Sequence, residues 1–164
     1  MNLFGTRPRR VAAATLVQLA LVPIAVAGPL SARVTGEEYL LEVAPLDPID
    51  PFRGAYVALD YPGLPDESTV SGDRDADTVY VPLVRSGEVW TGESAVSVQP
   101  ESGPFLRCKG DSWRLRCGID SWFLPQDEAL AMEQEVRDGR AVAEVKIDSR
   151  GNAALVDVRV LDGS

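Results

Sequence analysis

The sequence predicts a mostly β (β-rich α+β) protein, an antiparallel β-barrel or sandwich with one short helix, preceded by one N-terminal transmembrane helix. Three observations predict it. Residues 11–27 form an apolar run without a charge. Past it, about seven or eight short segments alternate apolar and polar side chains between turns rich in Gly, Pro and Asp, the period-2 signature of half-buried strands. Only residues 126–138 carry a convincing helical period. The 164 residues leave room for one domain beyond the run, since domains occupy roughly 100 to 200 residues.

Arg7, Arg9 and Arg10 precede the run VAAATLVQLALVPIAVA, whose only polar side chains are Thr15 and Gln18. As helix it would span about 25 Å, close to the hydrocarbon thickness. Basic residues before it and none directly after it predict a cytoplasmic N-terminus and an outward domain. The expected organisation is a basic cytoplasmic segment over 1–10, a signal-anchor over 11–28 and an extracytoplasmic domain over 37–164, giving a single-pass protein of the cytoplasmic membrane. Ala25-Val26-Ala27 before Gly28 is also an acceptable cleavage site, so a secreted or periplasmic protein cut after Ala27 is the alternative. A buried core helix fits the basic cluster and the small-residue exit least well.

The first expected strands are 37–43 and 56–61, separated by the turn-rich APLDPIDPFRG. In the second, Tyr56, Ala58 and Asp60 alternate with Val57, Leu59 and Tyr61. Residues 62–77 form an acidic, proline-bearing loop. Segments 78–84 and 88–98 suggest a hairpin about Ser86-Gly87, with Val79, Val81 and Leu83 inward and Val89, Val96 and Val98 as partners. Segments 105–109 and 113–123 suggest another, turning at Gly110-Asp111-Ser112. The helix at 126–138 opens on Pro125 and acidic residues and stops at Gly139. Segments 141–147 and 153–161 form the last hairpin, with Val145 and Ile147 facing Val156, Val158 and Val160.

Of the formal charge of −9, Arg7, Arg9 and Arg10 supply the only charges before Arg33, so the remainder carries −9 − 3 = −12. A domain of that sign gains nothing from phosphate backbones or anionic headgroups, which removes nucleic acid as a partner. The chain has no histidine, hence no Ser-His-Asp triad, and two cysteines cannot form a four-thiolate zinc site. Cys108 and Cys117 flank a turn and can face each other as a disulfide in an oxidising compartment; two buried thiols are the alternative. Asp47, Asp50, Asp60 and Asp66, or Asp73, Asp75 and Asp77, lack calcium-loop spacing and suit turns better, so no metal or cofactor is expected. A Ser-Lys hydrolase would depend on Lys109 or Lys146, both at solvated positions where the amine stays protonated. Trp90, Trp113, Trp122 and Phe123 can line a binding groove or fill a small β core.

The octapeptide GAYVALDY at 54–61, preceded by DPIDPFR with Asp47, Asp50 and Arg53, resembles the motif of the bacterial GDYXXLXY family. The similarity extends through Val79-Tyr80-Val81-Pro82-Leu83, residues 119–125 and the last hairpin ending in Leu161-Asp162-Gly163. Ala55 replaces the motif aspartate, and Gln126-Asp127 stands where the family tends to have Glu-Gly. Gly54 suits a tight turn, while Tyr56, Leu59 and Tyr61 supply strand side chains, so the motif reads as architecture. The resemblance implies a membrane-anchored protein and, as partner, a multi-pass membrane protein; it implies no reaction. The expected function is a non-enzymatic binding or accessory module, and the alternative is a small-ligand or metal-binding sensor.

Overall fold

In a computed structural model of the chain, the described residues are 7–45, 56–66, 70–71, 77–111, 114–123 and 140–161. The helix α1 (Arg7–Thr35) is rich in Ala and Leu, strong helix formers, and carries Pro23 and Pro29 within it. It ends at Gly36, whose N–H donates to the Ala32 carbonyl at 2.9 Å. A Cβ at Gly36 would lie 2.9 Å from the Ile147 nitrogen, so the close approach of helix end and sheet requires glycine here.

With only Gly36 between them, α1 leads into β1 (Glu37–Pro45). β1 pairs antiparallel with β10 (Arg140–Ile147) from Glu37↔Ile147 to Val43↔Ala141, and β10 forms a hairpin with β11 (Ala153–Leu161). The last positions of β1 pair with β2 (Tyr56–Asp60), which also pairs with β9 (Ser121–Phe123) through Tyr56↔Phe123. β3 (Val70–Ser71) lies within the expected acidic loop and runs parallel to β6 (Ala95–Val96).

β4 (Val79–Ser86) changes partner along its length. Val79 to Pro82 pair with β7 (Phe105–Asp111), and Leu83 to Ser86 pair with β5 (Val89–Gly92). β5 reaches β1 by a parallel pairing of Trp90 with Leu41. β7 turns back as β8 (Arg114–Arg116), and the Arg107 N–H donates to the Gly151 carbonyl at 2.8 Å, bringing β7 to the tip of the β10–β11 hairpin. The sheet is thereby curled into a half-barrel around one core, in agreement with the mostly β class expected.

The core fills the curl. Leu41, Leu59, Val81, Leu106, Ile119 and Val145 are among its fully buried side chains, and Tyr39, Trp90 and Trp122 pack against it from partly buried positions. Alternation in β4 is regular, with Val79, Val81 and Leu83 inward. Three expectations are corrected. Val98 is 75% exposed because β5 stops at Gly92 and β6 at Val96, so it lies beyond the pairing. A β-bulge between Glu144 and Val145 places Leu155 opposite Val145 and returns Val158 to the core, which leaves Val156 off the core face it was expected to share. The second arm of the 105–123 hairpin breaks after Arg116, since 121–123 pair with β2 instead. The helix expected at 126–138 lies outside the described residues.

Candidate functional site

Three residues of the octapeptide have described side chains: Leu59 and Tyr61 point inward, and Asp60 is exposed. Leu59 is 1% exposed and its N–H donates to the Asp120 carbonyl at 3.0 Å. Tyr61 is buried, and its hydroxyl donates to the Ile119 carbonyl at 2.7 Å. Burial, then the negative charge of Asp120, push the Tyr61 phenol well above its ordinary range, so it is a neutral donor and no acid or base at physiological pH. The backbone of Tyr56 pairs with that of Phe123. Asp47, Asp50, Arg53 and Gly54 lie outside the described residues. The legible part of the motif thus ties the end of β2 to the segment entering β9.

A cavity of about 190 Å³ lies beside this tie, with Leu59, Tyr61, Val81, Leu115 and Ile119 among its walls and Asp60, Asp66 and Asp120 also lining it. Among the described residues no three of Asp, Glu or Cys gather as a set able to hold a metal ion. Cys108 and Cys117 form a disulfide, with Cα atoms 4.1 Å apart. Their positions continue the β7–β8 register by one step past Lys109↔Arg116, so they stand directly opposite on adjacent strands and both face the core.

The aromatic residues do not converge in the described structure. Trp90 meets Tyr39 edge-on at 5.1 Å, and Tyr80 meets Phe105 at 5.7 Å. Trp122 packs on the core from β9, with its Nε1 buried and without a partner among the described residues. Trp113 lies outside the described residues, and only the backbone of Phe123 is described.

The junction between α1 and the sheet holds residues that sequence reasoning missed. Asp148 is 6% exposed and accepts from the amides of Arg150 (2.9 Å) and Asn152 (3.0 Å), from Asn152 Nδ2 (2.8 Å) and from the Ser31 hydroxyl of α1. Burial pushes its carboxyl up, but those hydrogen bonds outweigh burial and hold it below the usual range. Ala32 is wholly buried, and Arg33 Nη2 donates to the Leu155 carbonyl at 3.2 Å. An aspartate opening the turn Asp148-Ser149-Arg150-Gly151 was a visible signal for local capping; its partner Ser31, far off in sequence, was not.

Comparison with known proteins adds one match. Residues 18–158 match the family described as GDYXXLXY protein. No curated protein and no solved structure matches the chain. The match covers all of the described β domain except residues 159–161 and includes the octapeptide, and on that extent the chain belongs to the GDYXXLXY family.

Proposed function

We propose that this protein is a membrane-anchored extracytoplasmic domain, retained by α1, that acts as a non-enzymatic accessory or binding module for a membrane protein partner. The observation that carries the reading is the contrast between the two parts of α1. Nine of the eleven large apolar side chains exposed among the described residues stand on this helix, from Val11 to Val34, leaving only Val84 and Val98 elsewhere. Apolar side chains that no described residue covers fit a lipid environment. Ser31, Ala32 and Arg33, by contrast, engage the domain, so helix and sheet form one continuous body. At 29 residues α1 is about 43 Å long, enough to cross roughly 30 Å of hydrocarbon and still reach the sheet. The Arg7, Arg9 and Arg10 cluster favours the outward orientation of the domain.

The test is intact mass and membrane fractionation of the full chain in a bacterial host, followed by detergent pull-down. The expected species is full-length, resists alkaline extraction and returns a specific membrane protein. A mass beginning at Gly28 in the soluble fraction overturns the anchor, and repeated recovery of no partner overturns the accessory role. The cavity beside Tyr61 favours a second reading, a small-ligand sensor. A panel of small solutes that leaves Tm unchanged would remove it, because a native-state ligand must raise Tm.

A further inference from the structure

We infer that a cavity at the base of the domain, between β7, β8 and the end of α1, binds the phosphate of an anionic phospholipid headgroup. Arg107 and Lys109 stand two apart on β7 and therefore share a face, and Lys109 is directly opposite Arg116 on β8. All three are exposed. Together they line a cavity of about 280 Å³, and none of its described lining residues is acidic. That is a local reversal of charge in a chain with 25 acidic and 16 basic residues.

The position of the cavity selects the anion. Gly28 and Pro29 of α1 form part of its wall. The apolar run 11–27 covers about 25 Å as helix, so on the anchored reading, on which this inference rests, these two residues lie where hydrocarbon gives way to headgroups. The three cations then sit at the level of the lipid phosphates, with the hydroxyl-bearing Thr78 as a further donor in the wall. Overall acidity conceals this patch, since an anion at such short range is governed by the charges that line its site.

The test uses the full chain in neutral detergent, titrated with soluble short-chain phosphatidylglycerol, with short-chain phosphatidylcholine and with inorganic phosphate, and read by thermal shift. The expected result is a rise in Tm with the anionic lipid that exceeds both other arms and shrinks as salt is added. The triple variant Arg107→Gln, Lys109→Gln, Arg116→Gln should bind the anionic lipid about a hundredfold more weakly, from the roughly fivefold that each basic residue contributes near an anionic surface. Retention of the Cys108–Cys117 disulfide and of the far-UV spectrum shows that the variant folds; if it does not, Lys109→Gln alone, exposed on its strand, carries the comparison with an expected fivefold loss. An equal response to the neutral lipid, an equal response to inorganic phosphate, or equal binding by variant and parent overturns the inference. Fractionation of the same proteins reads the anchor separately, since the detergent titration does not depend on membrane retention.

Discussion

Replacing Tyr61 by phenylalanine keeps the buried ring and removes one hydroxyl, the donor to the Ile119 carbonyl at 2.7 Å. The lost bond and the buried carbonyl left without its donor together cost about 1–3 kcal/mol. With a urea m-value of about 2 kcal/mol/M, the midpoint should fall by roughly 0.5–1.5 M at unchanged m. The same substitution has a pH signature. Because the folded-state pKa is raised above the ordinary 10.0, the stability associated with Tyr61 is fully present below pH 10 and is lost as pH rises beyond it, where the unfolded phenol ionises and the folded one does not. Tyr61→Phe should therefore unfold less steeply than the parent on the alkaline limb while being weaker at neutral pH. Urea melts from pH 7 to 11, with phenolate absorbance as a second readout, measure both. A midpoint within 0.2 M of the parent at pH 7, or parallel alkaline limbs, would refute the assignment of this motif tyrosine to a structural tie.

Other perturbations have equally definite outcomes. Alanine at both Cys108 and Cys117 opens a loop of nine-residue separation and should cost about 2.7 kcal/mol by loop entropy, measured as the midpoint difference between parent and variant without reductant. Gly151 has φ +79°, and a Cβ there would lie 2.6 Å from the Phe105 ring and 2.9 Å from the Arg107 nitrogen, so Gly151→Ala should lose at least about 2 kcal/mol and expose the Arg107 amide to hydrogen exchange. Asp148 has a lowered pKa when folded, so its contribution is present above the unfolded carboxyl pKa and is lost as pH falls through the folded one. Asp148→Asn should flatten the acid limb of the stability profile in chemical denaturation and speed amide exchange around Ser31.

Local pattern made most of the strands legible. Val79, Val81 and Leu83 announce an inward face, and Val145 and Ile147 fix the register of β10. The bulge in β11 was not legible, because AALVDVRVL offers an apolar residue in either register, and only pairing with β10 decides that Leu155 rather than Val156 turns inward. Likewise, nothing local to β5 or β1 signals the parallel contact of Trp90 with Leu41, which joins segments far apart in sequence. The tie at Tyr61 was half-visible: an aromatic ending an alternating strand suggested burial, whereas the carbonyl that receives its hydroxyl belongs to a distant segment. Net charge misled about the Arg107, Lys109 and Arg116 face, since a sum over the whole chain averages away what two adjacent strands collect.

One residue, Gly36, separates a helix held by its last turns from a strand held along its length. A joint with no slack transmits angle. On the anchored reading proposed above, a helix longer than the hydrocarbon layer accommodates a thinner bilayer by tilting, and the half-barrel would have to lean with it, changing which sheet edge a neighbouring protein would meet. The domain would then be a pointer whose bearing is set by membrane thickness, and a few flexible residues inserted after Thr35 would disconnect the needle from its axle.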